Sequence, residues 1–231
     1  MSHKSLLALA ALGLLGPSPA FAADAANPTV EELYQSQGCS SCPPANAVLN
    51  AIADRPDILA LSFAVTYWDR LGWKDIYAHP AFTARQWEYS KAGKRDHVST
   101  PQMIVNGRGV LIGHRQAEAD AAIRQHARTW AAPAVQVGAG KVRIGAGRTG
   151  QPANVWLVRY DPRTHQVPIR AGENGGRTLP HKNIVRETHL LGKWTGTVAD
   201  YKLPGGGNPI LKSAILVQEG PGGAILAARR L

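Results

Sequence analysis

Along residues 29–130 the spacing of apolar side chains alternates between strand-like runs and a helical period. TVEELYQS, Thr29 to Ser36, mixes β-branched and aromatic residues with little turn chemistry and predicts a strand leading into Gly38. Beyond Pro43-Pro44, the apolar residues Ala45, Val48, Leu49 and Ile52 fall at helical spacing. A helix starting near Ser41 tolerates both prolines, because the amides they lack belong to the first turn and have no intrahelical partner. Arg55-Pro56-Asp57 closes that helix. ILALSFAVTY, Ile58 to Tyr67, is a nearly continuous apolar run of the kind found in strands covered on both faces. After the irregular aromatic stretch YWDRLGW, a helix is predicted over about Phe82 to Ala92. Pro101–Asn106 and Gly109–Gly113 read as two strands around an Asn106-Gly107 turn, the commonest short hairpin signal. Ala119, Ala122, Ile123, Ala127 and Trp130 then mark one face of a helix ending before Pro133.

The order is strand, helix, strand, helix, hairpin, helix. A strand–helix–strand unit packs its strands parallel with a right-handed crossover, so the first half predicts an α/β layer with a mixed sheet flanked by helices. Beyond Ala131-Ala132-Pro133 the texture changes. Short alternating runs such as VWLVRY (Val155–Tyr160) and ILKSAILVQ (Ile210–Gln218) are separated by turn clusters rich in glycine and proline. That half predicts a small antiparallel β-sandwich-like domain. GAGK (Gly138–Lys141) and GAGRTG (Gly145–Gly150) lack the spacing of a phosphate loop and read as turns.

The first residues bear on compartment. Met1–Lys4 is basic, Ser5–Gly16 is apolar, and Ala20-Phe21-Ala22 is a small-residue cleavage pattern, which together predict a signal peptide over residues 1–22. A membrane anchor needs about 20 apolar residues, and no stretch of the chain is that long. The expectation is a periplasmic or secreted protein without a membrane span. Two domains follow, α/β over 23–133 and β-rich over 134–231. Charge divides the same way: residues 23–133 carry 11 basic and 11 acidic side chains, residues 134–231 carry 14 and 5. This asymmetry allows an anionic surface as partner of the C-terminal half. No dense basic run or interleaved aromatics point to nucleic acid.

Cys39 and Cys42 are the only cysteines and stand as C-x-x-C between the first strand and the first helix. At a helix start, unpaired amides and the helix dipole favour a thiolate and can lower a cysteine pKa from about 8.5 into roughly 3.5–7.5. Cys39 is then a nucleophile and Cys42 a resolving thiol. Two other readings stay open. A permanent disulfide closing so short a loop removes little chain entropy and is a poor staple. Two thiolates also suit copper(I), or zinc shared with histidine, with His79, His97 and His114 as candidates, none at metal-ligand spacing to the cysteines. In the inferred sheet the strand opening at Thr100-Pro101 runs antiparallel to the first two. Its start therefore meets Cys39 and Tyr67–Trp73 at one sheet edge.

C-S-S-C after a strand, with Thr100-Pro101 opening a later hairpin strand, resembles the thioredoxin superfamily, whose matching proline is cis and holds its neighbour's backbone against a substrate thiol. SQGCSSCPPA (Ser36–Ala45), YWD with LGWKD (Tyr67–Asp69, Leu71–Asp75), Arg85-Gln86 and TPQM with VNG (Thr100–Met103, Val105–Gly107) are more closely similar to a bacterial family of secreted thioredoxin-like proteins of unknown function. The likeness covers Thr29 to Trp130, and RAGENGGRTLPHKNIVR (Arg170–Arg186) resembles that family's tail. It implies a thioredoxin-like fold, a redox-active Cys39–Cys42 disulfide and no other cofactor. Where the family pattern has a histidine, an aspartate and a second aspartate, this chain has Ala64, Thr66 and Asn46.

The leading expectation is an exported thiol–disulfide oxidoreductase acting on a protein or small thiol/disulfide substrate. Cys39 attacks, Cys42 resolves, Pro101 orients the partner, and Asp69 is a candidate base for Cys42. Thr100 and Gln102 would offer backbone to a bound peptide, and Trp68 and Trp73 either line a substrate rim or belong to the core. The alternatives are a copper-binding protein using the same cysteines and a non-catalytic binding module. The solvated face of a helix is the plain expectation for Arg85 and Gln86.

Overall fold

In a computed structural model describing residues 23–231, the alternation of the first half is present element by element. The leader expected at 1–22 lies outside the described residues. The first strand, β1 (Thr29–Gln35), is followed by α1 (Cys42–Ile52), β2 (Ile58–Ala64), α2 (Pro80–Ala92), β3 (Gln102–Val105), β4 (Gly109–Leu111) and α3 (Gln116–Gln125). Thr29 stands opposite Ile58 in the parallel β1–β2 pair, and β3 runs antiparallel to β1 with Tyr34 opposite Gln102. At the hairpin tip Asn106 and Gly107 have φ of 47° and 68°, as the Asn-Gly turn requires. A Cβ on Gly107 would lie 2.2 Å from the Gly223 carbonyl oxygen, so only glycine lets the tip approach the C-terminal half.

The last helix is shorter than the apolar spacing predicts. It ends at Gln125, because Arg128 turns inward and donates to the main-chain carbonyls of Asn27 and Pro28, both at 2.6 Å, and to Asn106 Oδ1 at 2.9 Å. Trp130 then packs in a different core, with the Arg108 guanidinium 3.9 Å above its ring.

The second half is antiparallel as expected, but its longest strands do not close on themselves. Its elements are β5 (Val135–Gly138), β6 (Lys141–Ile144), β7 (Ala153–Asp161), β8 (His165–Pro168), β9 (Thr178–His181), β10 (Ile184–Trp194), β11 (Ala199–Lys202), β12 (Lys212–Glu219) and β13 (Ile225–Arg230). β10 lies parallel beside β2, giving one eight-stranded sheet of order β13-β12-β7-β10-β2-β1-β3-β4. At the seam Ser62 donates its amide to the Asn183 carbonyl at 3.0 Å, and the Asn183 side chain donates to the Ala60 carbonyl at 2.9 Å. Pro133 thus marks a change of cover on a shared sheet. Helices α1 and α3 cover one face of the first half, α2 lies on the other, and the small β11-β6-β5 sheet packs on the second half around Trp194. Gly138–Lys141 is the β5–β6 turn, and Gly145–Gly150 is a loop. No helix among the described residues is long and apolar enough to cross a membrane.

All seven residues of β1 are buried, including Glu31 and Glu32. Glu32 is paired; Glu31 is not. Neither Glu31 carboxyl oxygen has a hydrogen-bond partner among the described residues. Burial first, and the Asp120 charge second, push its carboxyl up to about 8 against the pull of Arg55. A group with a raised folded pKa binds more protons when folded, so its contribution is present at low pH and is lost as pH rises from the unfolded value to the folded one. Between pH 5 and 8 Glu31 should cost on the order of 3 kcal/mol of stability. Cys39 titrates in an overlapping window with the opposite sign, so the check is a comparison. The stability of Glu31→Gln minus that of the unsubstituted protein, from urea denaturation at several pH values, should grow as pH rises. A difference that stays flat from pH 5 to 8 would show that Glu31 ionises normally.

Candidate functional site

The strand-to-helix turn Ser36–Cys42 places the two sulfurs where β1, β2 and β3 end or begin. Cys39 donates its amide to the Ser36 carbonyl at 3.1 Å, and Cys42 donates to the Cys39 carbonyl at 3.2 Å, curling the chain into α1. Both cysteines are free thiols and both have 0% exposure. Around the Cys39 sulfur, Ser41 Oγ lies at 3.3 Å and the Thr100 carbonyl oxygen at 3.7 Å. The Thr100-Pro101 peptide is cis.

Their surroundings make the two thiols unlike. The hydrogen bond from the Cys42 thiol, opposed by burial and helped by Ser41 and Thr100, brings Cys39 down to about 6. Burial, the same hydrogen bond and the negative charge on Cys39 push Cys42 far up. At neutral pH Cys39 is mostly thiolate and Cys42 stays protonated. The Tyr67 hydroxyl, held up to about 12 chiefly by burial, remains a neutral donor and bonds Gln86 Oε1 at 3.3 Å.

Several of the expected residues do meet here. Trp68 donates its indole N–H to Thr100 Oγ1 at 2.7 Å, and Trp73 donates to Gln37 Oε1 at 2.9 Å. Both rings are half-buried, so each forms part of the frame while one edge reaches solvent. Gln102 is buried and its backbone is paired with Tyr34 across the β1–β3 ladder, so that side of β3 has no free edge for a peptide. The Asp69 carboxylate accepts the Asp75 amide at 3.1 Å and makes no hydrogen bond to either sulfur. Asp75 is the acid joined to the dithiol turn: it accepts the Gln37 amide at 2.8 Å, and burial raises its carboxyl to about 6. Asn46 is buried and donates to Gln35 Oε1 at 3.4 Å. Thr66 bonds Thr83, and Ala64 ends β2.

Arg85 and Gln86 are not on a solvated face. Gln86 is fully buried and donates to the Ser99 carbonyl at 2.8 Å and to Gln102 Oε1 at 2.7 Å, fastening α2 to residues on both sides of the cis peptide. The three histidines lie apart from the sulfurs: His79 caps α2, His97 pairs with Asp96, and His114 sits in the groove between β4 and α3. Among the described residues no group of three or more His, Cys, Asp or Glu side chains is arranged to hold a metal.

Two residues of the site were not singled out in the sequence. The Asn174 amide donates to the carbonyls of Gln37 at 2.9 Å and Cys39 at 2.8 Å, and Glu173 accepts from the Ser40 amide at 3.0 Å and hydroxyl at 2.7 Å. Both lie more than 130 positions from the cysteines. Their only trace in the sequence is the RAGENGGR stretch, polar residues fixed between glycines.

A family described as a protein of unknown function (DUF1223) matches residues 30–218. The chain belongs to this family. A crystal structure of a protein from Agrobacterium tumefaciens is 30% identical, with 89% of this chain and 94% of that chain covered at a TM-score of 0.70. HBP35 of Porphyromonas gingivalis, 12% identical with 89% of this chain and 75% of that chain covered, shares the fold at a TM-score of 0.59. No curated protein matches the chain. The match extends from β1 into β12, so it takes in the dithiol turn, the cis-proline segment and the Glu173–Asn174 loop together.

Proposed function

We propose that this protein is an exported thiol–disulfide oxidoreductase, with Thr29–Gln125 as a thioredoxin-like unit extended by the antiparallel strands. The observation that carries the reading is the unlike pair of thiols beside the cis Thr100-Pro101 peptide: one held as thiolate by donors, the other kept protonated by burial. In the reducing direction the Cys39 thiolate attacks a partner disulfide, the partner's S–S bond breaks, and one partner sulfur leaves as thiolate and takes a proton. Cys42 then loses its proton and attacks the Cys39 sulfur, releasing the second partner thiol. Two electrons pass to the partner and a Cys39–Cys42 disulfide remains; the reverse sequence oxidises a dithiol. Trp68 holds Thr100, whose carbonyl faces the attacking sulfur, and Tyr67 bonds Gln86, which holds Ser99.

The test is equilibration with glutathione. A stabilised Cys39 thiolate stabilises the reduced form, so the pair should titrate in one two-electron step with a potential more oxidising than about −270 mV. Alkylation of Cys39 should have its midpoint near pH 6. Thiols that form no Cys39–Cys42 disulfide at any glutathione ratio, or protein that purifies with one equivalent of copper, would sink the proposal.

A further inference from the structure

The sulfur expected to attack is fully covered, yet the next two residues, Ser40 and Ser41, are exposed. The cover over Cys39 is therefore local, and the turn Arg170–Arg177 from the far half of the chain is hydrogen-bonded to the main chain on both sides of it. That turn is closed on itself: the Ile169 amide donates to the Arg177 carbonyl and the Gly176 amide to the Ile169 carbonyl, both at 2.8 Å. Gly172, at φ 74°, brings it against Trp73, where an added Cβ would stand 3.2 Å from Trp73 Cβ.

The two side chains it presents to the dithiol turn differ in character. Asn174 has no exposure and spends both amide protons on the Gln37 and Cys39 carbonyls, while Arg177 donates to its Oδ1 at 2.7 Å and so fixes which way the amide points. Breaking that contact leaves the Gln37 carbonyl without this donor and the Cys39 carbonyl with only the Cys42 amide. Glu173 is exposed and holds Ser40 from the outside, where water competes for the same donors.

We propose that Arg170–Arg177 is a strap that completes the dithiol site, with Asn174 as a positioning residue for the Cys39 main chain and Glu173 as a latch on Ser40 that releases when a partner disulfide docks. The proposal rests on the redox reading above and concerns the regulation of the same site. With the latch closed, the Cys39 sulfur is ionised but sheltered. Release frees the Ser40 amide and hydroxyl and opens the approach to the sulfur.

The experiment is the pH profile of Cys39 alkylation by iodoacetamide in the mature protein, which has two separate readings: the midpoint, set by thiolate formation, and the plateau rate above it, set by access. Glu173→Ala should raise the plateau about tenfold. Glu173→Gln keeps an acceptor for Ser40 and should raise it much less. Asn174→Ala, by loosening the turn that presents the Ser41 donors, should move the midpoint upward. A Glu173→Ala profile that superimposes on that of the unsubstituted protein overturns the latch, and an Asn174→Ala variant with unchanged midpoint overturns the positioning role. Should Asn174→Ala fail to fold, the exposed Glu173 variants still decide the latch. Failure of the redox reading would appear elsewhere, as absence of the glutathione-linked disulfide in the unsubstituted protein.

Discussion

Cys42→Ser should accumulate a mixed disulfide on Cys39 when mixed with a disulfide substrate or oxidised glutathione, while Cys39→Ser should accumulate almost none on Cys42. The difference follows from the unlike thiols. Cys39 sits near 6 and is ionised at neutral pH, whereas Cys42 is pushed far above the usual thiol range mainly by burial, a cause that persists when Cys39 is gone. A much smaller thiolate fraction is only partly offset by the greater nucleophilicity of a more basic thiolate, so the rates should differ by about tenfold or more. Intact-mass spectrometry of quenched reactions reads this directly. A second substitution refines it. The Cys42 thiol is the largest single cause of the low Cys39 value, so Cys42→Ala should move the alkylation midpoint from near 6 toward about 8.5. Cys42→Ser retains an O–H donor and should move it less. Equal trapping on both cysteines would remove the division into attacking and resolving thiol.

Arg85→Met should be the most destabilising single change on the face opposite α1. Arg85 and Glu32 form an ion pair at 2.8 Å with side-chain exposures of 7% and 0%. The same guanidinium donates to Gln218 Oε1 at 2.8 Å on β12 and lies 5.3 Å from the Tyr89 ring centroid and 5.6 Å from that of Trp156. It therefore joins α2 and β1 to two strands of the C-terminal half. Removing it leaves Glu32 charged, buried and without its partner, a situation that costs about 3–5 kcal/mol. Against a total stability of about 5–15 kcal/mol, the variant should be close to unfolding at moderate urea. Urea denaturation followed by tryptophan fluorescence measures the loss. The double variant Arg85→Met with Glu32→Leu should recover much of it, since replacing both charges by apolar groups is often neutral. If the single variant loses less than about 1 kcal/mol, the pair is not what holds the two halves together.

The first half could be read far into the sequence because its elements are local. Helix spacing in Ala45–Ile52, the apolar run Ile58–Ala64 and the Asn106-Gly107 turn each depend on neighbours within a few residues, and β1, β2, α1, α2 and the hairpin lie where those patterns place them. Helix α3 was overestimated for the converse reason. Ala127 and Trp130 keep the helical spacing, but Arg128 finds main-chain carbonyls at Asn27 and Pro28 that no local pattern reveals.

The alternating runs after Pro133 identified antiparallel strands, yet nothing in them says which neighbour they pair with, because the main-chain donors and acceptors of a strand fit equally beside its own hairpin partner or beside β2. The seam at Asn183 decided that. The dithiol site divides along the same line. Cys39, Cys42 and Thr100-Pro101 were visible because a strand–helix turn and a strand start are local features whose edge of the sheet can be deduced. The hold of Asp75 on the Gln37 amide, the buried Arg85–Glu32 pair, and the contacts of Glu173 and Asn174 with the dithiol turn belong to the tertiary structure alone. Hydrogen bonds between groups more than 30 positions apart depend on where the chain returns, and burial, which raises the pKa of Cys42 and Glu31, is a property of what those returning segments cover.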